Sequence, residues 1–437
     1  MKFQGLTKFF ILAAIVTLFL RRDIVLLIKP FEILMLFGFL FFVLSFIFKE
    51  EGLDKLKQFF FQYLSWIKIF ALAFIFIIIG TLNGIYLYWE NIDQEILIRI
   101  LGGFAYFGIN TLTFFLILYY GKEQKFTKNL LLAFYSSLIF IPFSFLPRLA
   151  EKFSLINEGL YFYGLHKNPT TFAFFLFFSL VLIIIAYIKT AELLKKFFYW
   201  LMATLILTLM IWSGSRSGWL VAFITMIWVS FYLYRFHYDN WAIVNKIKKV
   251  VFFIIAANSA LFIAFSILPH YAKIMALDRI YPQISNNFPS IYKFEQISFK
   301  NALTKISNNP VPTLPYQSRE SLWPQSAQLF LKNPLGLGVE YFRYIKSINQ
   351  GGYVTHSHNT LLQAGLTGGI GLLLVYIFIH YKIIKIFWIL KKDNEWLMLS
   401  TMIIGVFIFS LIGEFLYIVP WPWVIISLVA AKEKTKN

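Results

Sequence analysis

Two histidines and an asparagine stand together in "THSHNT", Thr355 to Thr360, where a long polar segment meets an apolar run of about twenty residues. The whole chain holds six histidines, so this pairing is a concentration of scarce titratable groups. On an extended segment, His356 and His358 point their rings to the same side. Three uses compete for them. A zinc site needs three or four ligands, and no cysteine or carboxylate cluster lies nearby. A structural use gives Asn359 the N-cap of the following helix and leaves both histidines solvated. A catalytic use makes one of them a general base, because an imidazole with a pKa near about 6.5 takes a proton from a hydroxyl at neutral pH.

Three arginines invite a second chemistry. Arg216, in "SGSRSGW", falls between two apolar runs with almost no loop. A cation there faces a water-filled cavity or a partner, or snorkels to headgroups. Arg319 opens "RESLWPQSAQLFLKNPLGLG", whose pattern predicts a short amphipathic helix stopped by Asn333, Pro334 and the glycines at 336 and 338. The macrodipole disfavours a cation at that end, so helix stability does not account for it. A guanidinium matches two phosphate oxygens at once, which makes Arg216 and Arg319 candidates for a diphosphate clamp. Arg148, in "PRLAEKF", is a third candidate.

The elements that must position these groups are membrane helices. Of 437 residues 59% are hydrophobic and 14% charged, too little polar surface for a soluble fold of this size. Apolar runs near spanning length fall at roughly 9–20, 31–48, 66–89, 96–120, 129–147, 169–188, 197–213, 217–234, 250–269, 359–379, 397–417 and 420–431. The expected fold is therefore all-α and polytopic, with about twelve transmembrane helices. The first run, broken by Arg21 and Arg22 and followed by Lys29, Pro30 and Glu32, reads as a tight hairpin or as one span with a surface helix. No small-residue cleavage site closes it, so it is expected to remain as an anchor.

The +19 charge follows the membrane rather than a nucleic acid. Lys49, Lys55 and Lys57, then Lys122, Lys125 and Lys128, then Lys189, Lys195 and Lys196, and likewise Lys382, Lys385, Lys391 and Lys392, occupy alternate connections. The positive-inside rule then puts both termini in the cytoplasm. The resulting organisation is N-terminal helices over 1–146, an outer loop over 147–168, helices over 169–269, a long outer cap over 270–358, helices over 359–431 and a tail over 432–437. The cap holds seven of the fourteen prolines and an excess of five positive charges. That composition predicts loops and short helices, and suits an anionic ligand. Zero cysteines remove thiolate catalysis and Cys-ligated metals.

Three of these stretches in order, "SGSRSGW", "RESLWPQSAQLFLKNPLGLG" and "HSHNTLLQAGLTGGIG", resemble the O-antigen ligase family of bacterial inner-membrane glycosyltransferases. O-antigen polymerases and protein O-oligosaccharyltransferases share its domain. "GLYFYGLHKNPTTFA", 159–173, looks like a further family element and brings in Asn168 as a supporting residue. The resemblance covers roughly 145–375. It implies a GT-C-type architecture with a long periplasmic loop, an active site facing the periplasm, and no metal or other cofactor. It also implies an undecaprenyl-diphosphate-linked glycan as donor and lipid A-core or another glycan as acceptor, with membrane lipids around the chain. Arg216 and Arg319 would hold the diphosphate, and His358, beside Asn359, would be favoured over His356 as the base. A polymerase, a protein O-oligosaccharyltransferase and, outside the class, a lipid-linked sugar transporter are the alternatives. A transporter would gather polar groups near the midplane of several spans, whereas these gather at the outer rim.

Overall fold

The computed structural model describes residues 2–17, 29–139, 141, 169–213, 218, 220–224, 227–228, 259, 319–343, 359–389, 394–412 and 421–433. Every element among them is helical: α1 (Phe3–Thr17), α2 (Pro30–Ile47), α3 (Leu53–Gln62), α4 (Leu64–Tyr88), α5 (Gln94–Tyr120), α6 (Gln124–Ser137), α7 (Pro169–Lys189), α8 (Leu193–Ser213), α9 (Arg319–Lys332), α10 (Thr360–Ile389), α11 (Asn394–Ile412) and α12 (Trp421–Glu433). Among the described residues, five segments are long and apolar enough to cross a bilayer: Pro30–Ile47, Leu64–Asn91, Gln94–Tyr120, Leu193–Met210 and Thr360–Ile386. Shorter apolar helices cover Phe3–Thr17, Phe172–Tyr187, Met398–Leu411 and Pro422–Ala431. The chain is a multi-pass membrane protein. The spans expected at 31–48, 66–89, 96–120, 169–188, 197–213 and 420–431 coincide with helices within a few residues, whereas the run expected at 129–147 is a helix over Gln124–Ser137, and most of the run at 217–234 lies outside the described residues. The run at 250–269, nearly all of the cap and the outer loop lie outside the described residues.

Three local features differ from the expectation. The predicted span 359–379 is a longer helix, Thr360–Ile389, interrupted at Gly368 and Gly369. A separate short helix, α3, precedes α4; its Leu53, Phe60 and Phe61 are exposed, as fits a helix lying along an interface. At the start of α2, Lys29 and Glu32 do not project as loop charges. The Lys29 backbone N–H donates to Glu32 Oε2 at 3.0 Å, and its Nζ donates to Tyr106 Oη at 2.8 Å and lies 3.3 Å from Glu32 Oε1. Both residues are buried, and mutual pairing is what makes two buried charges tolerable.

The larger of two compact units contains 1–138, 224–236 and 317–437. Within it α1 packs on α2 and α6, α5 on α2 and α12, and α10 on α4, α9, α11 and α12. Two of the lysines expected on one face, Lys122 and Lys382, lie at one end of this unit. Lys8 pairs with Glu123 at 2.6 Å, Lys122 donates to Gln62, and Lys382 donates to Ser65 at 2.6 Å. The opposite end carries the turn between α4 and α5, the stretch after α9 and the start of α10. The smaller unit spans 139–223 and 237–316; in it α7 packs on α8, and the α7 side chains from Phe172 to Ile185 are all buried.

Candidate functional site

The start of α10 is built around Asn359. Its side-chain oxygen accepts from the backbone N–H of Leu361 at 3.0 Å and of Leu362 at 3.1 Å, the N-cap role open to it from sequence. Its amide nitrogen also donates to Leu411 O of α11 at 2.9 Å. One residue thus closes the helix start and ties it to a neighbouring helix.

Eight residues further on, α10 breaks. Gly368 has φ −126 and ψ 21, and Gly369 has φ 69 and ψ −163, a backbone region essentially reserved for glycine. A rise of about 1.5 Å per residue puts this break about 20 Å from the level of Lys382, and therefore within the depth of a bilayer. Peptide groups freed there must be satisfied by protein.

They are satisfied by the residues that follow α9. Asn333 stops α9, its side chain donating to Leu329 O at 2.9 Å, and its carbonyl accepts from Gly336 N to close a turn. The next residues form a strap against the break. Leu337 N–H donates to Leu366 O at 2.6 Å, Gly338 N–H to Thr367 O at 2.9 Å, and Ile370 N–H to Pro334 O at 2.9 Å. The other side of the strap is held by α4: Asn83 Nδ2 donates to Gly336 O at 2.7 Å, and Val339 N–H donates to Thr81 Oγ1 at 3.2 Å. Gly338 has φ +90 and lies so close to α4 that any side chain would run into Thr81 Cα. Beyond it, Tyr341 Oη donates to Gln363 Oε1 at 3.0 Å, with both residues buried. Ile100, Leu337, Tyr341 and Leu366 form an apolar core, with Ile85, Tyr88, Ile96 and Phe330 packed against it.

The structure therefore brings two of the sequence motifs together: α9, which begins at Arg319, and the helix start that follows His358. Their contact is direct at Gly365, where an added Cβ would stand 3.1 Å from the Phe330 ring. Of the residues singled out from sequence, Asn359 is described in full and Arg319 as the first residue of α9. Arg148, Asn168, Arg216, His356 and His358 lie outside the described residues. Thr81, Asn83, Tyr341 and Gln363 also take part here, although no motif or spacing marks them out. Composition does signal the first two: "GTLNG" puts a threonine and an asparagine inside an otherwise apolar span, a placement that calls for partners.

Residues 200–377 match the family model described as O-Antigen ligase. That segment is similar to O-antigen ligases. The match is to the family suspected from the motifs, and it runs from within α8 to within α10. It encloses Arg216, Arg319, His356, His358 and Asn359 and leaves Arg148 and Asn168 outside. No curated protein and no solved structure matches the chain. O-antigen ligase domains belong to glycosyltransferase-like enzymes acting on lipid-linked glycans and their acceptors.

Proposed function

We propose that the chain is a bacterial inner-membrane glycosyltransferase that ligates an O-antigen glycan from undecaprenyl diphosphate onto a hydroxyl of lipid A-core, at a site facing the periplasm. The observation that carries this proposal is the domain match over 200–377, which encloses the two principal arginines and both histidines. The donor is already activated, so the reaction needs no nucleotide. The acceptor oxygen attacks the anomeric carbon, the bond from that carbon to the diphosphate oxygen breaks, and the hydroxyl proton passes to His358. His356 orients the acceptor or supports its neighbour. Arg216 and Arg319 stabilise the charge that develops on the leaving diphosphate, with Arg148 as a third contact. Donors positioned in advance act most strongly where water is excluded. A single displacement inverts the anomeric configuration. Arginine suits this task better than lysine because its planar fork engages two oxygens together.

Purified protein supplied with undecaprenyl-diphosphate glycan and lipid A-core tests the proposal. His358→Ala is expected to lower transfer by a factor of about 100 to 10,000 while donor binding persists. Lys at 216 or 319 should abolish most of the transfer while keeping the charge, and EDTA should have no effect. Full activity in His358→Ala, or loss in chelator that zinc restores, overturns the general-base assignment. A deletion strain separates the acceptors: full-length chains left on the lipid carrier support a ligase, and single repeats on lipid A indicate a polymerase.

A further inference from the structure

The first eight residues of α10, Thr360–Thr367, form an arm between the Asn359 cap and the Gly368–Gly369 break. A helix interrupted at two glycines loses the bonds that would fix the direction of one half relative to the other. Here the arm is held by bonds to residues outside α10. Leu366 and Thr367 carbonyls accept from the strap, Gln363 accepts from Tyr341, and the strap hangs from Asn83 and Thr81 on α4. Thr81 Oγ1 is committed on both sides, donating to Ile77 O at 2.7 Å while accepting from Val339.

We propose that Tyr341 and Asn83 are positioning residues: through the strap they set the height and rotation of the 360–367 arm, whose leading end continues into His358. This rests on the role given above to His358. The chemical argument is one of tolerance. A base must stand within hydrogen-bond reach of the proton it removes, and a displacement of about 1 Å costs transfer about 100-fold. Neither Tyr341 nor Asn83 touches substrate in this scheme. Both act through the backbone of the arm.

The absence of cysteine allows a direct measurement on the full chain in detergent. Spin labels are placed on Trp89→Cys, at the exposed outer turn, and on Leu361→Cys, half-buried on the arm. A control pair joins Trp89→Cys to Ile370→Cys, which lies beyond the break and is 51% exposed. Tyr341→Phe removes a single oxygen, and Gln363→Met removes its acceptor. Either is expected to broaden the 89–361 distance distribution, leave the 89–370 distribution unchanged, and lower kcat about 10- to 100-fold with donor KM within about twofold. The double variant should be no worse than the poorer single, because both remove the same bond. Asn83→Ala should reproduce the pattern and provides an independent route should a substitution in the Tyr341–Gln363 pair impair folding. An unchanged 89–361 distribution in folded variants overturns the proposal, and so does a broadened one with parental kcat. Transfer by His358→Ala in the same assay reports separately on the general base.

Discussion

At the strap end of the larger unit, three of the joining bonds run from peptide group to peptide group, Leu337 to Leu366, Gly338 to Thr367 and Ile370 to Pro334, beside the side-chain bonds of Asn83, Thr81 and Tyr341. At the lysine end the joints are side chains. Glu51, buried, accepts from Gln4 Nε2 at 2.6 Å and from Tyr119 Oη at 3.1 Å, and Lys382 lies 4.2 Å from the centroid of the Trp66 ring. His380, closer to the lysine end than the break is, also works through its side chain: Nδ1 lies 2.7 Å from Tyr376 O and Nε2 3.2 Å from Ser410 Oγ of α11. A side chain can change rotamer and find another partner, or water, at an interface. Peptide groups in a tight stitch at membrane depth cannot, because lipid offers no replacement. The end that carries the proposed chemistry is thus the end with less freedom, as a base that must be held in place requires.

Substitutions at the two ends should differ in kind as well as size. The largest effect is expected from Gly338→Ala, which combines a left-handed backbone with a collision against Thr81. Positive-φ strain of about 1–2 kcal/mol and overpacking of about 1–3 kcal/mol together should depress the thermal midpoint of the detergent-solubilised protein and its activity. Gly108→Ala, in α5 with nothing within 4 Å of the added carbon, supplies the contrast. It should leave the protein unchanged or stabilise it by up to about 1 kcal/mol. Equal loss in both would mean that the strap is no tighter than an ordinary helix surface.

Next in size is Glu51→Ala. Removing a buried acceptor leaves Tyr119 and Gln4 to lose their bonds, a cost of about 1–3 kcal/mol. Thermal denaturation should register it, while kcat per folded molecule stays at the parental value. A fall in kcat without a fall in stability would break the division of labour between the two ends. The smallest effect is expected from Lys382→Met, which removes a cation above Trp66 and the bond to Ser65. That contact is worth about 0.5–1 kcal/mol at an exposed position, and a midpoint shift of the size produced by Gly338→Ala would contradict the comparison.

Much of the helical framework was legible in the residues because it depends on local quantities. Apolar runs of spanning length located α2, α4, α5 and α8 within a few residues, since the hydrocarbon thickness sets that length. Asn333 with Pro334 placed the end of α9, and Asn359 the start of α10, because caps and stops act within one turn. By residue type alone, the glycines at 365, 368, 369 and 371 suit the close approach of neighbouring membrane helices. Gly365 does serve that purpose against Phe330, whereas Gly368 and Gly369 interrupt the helix instead. A glycine tolerates either sign of φ, so its residue type does not say which is adopted.

The partner decides, and the partner is distant: Val339 bonds to Thr81 across 258 positions, and Asn83 to Gly336 across 253. No periodicity links such residues. Their pairing follows from packing α4 against α10 closely enough for backbone donors and acceptors to meet, which only the tertiary structure determines. The residue types and their order therefore specified many of the apolar helices and the likeness of residues 200–377 to O-antigen ligases. The folded chain decided that the helix leading from His358 would be broken, and which groups would hold its first eight residues in place, because a backbone hydrogen bond exists only where two separate segments are brought within about 3 Å.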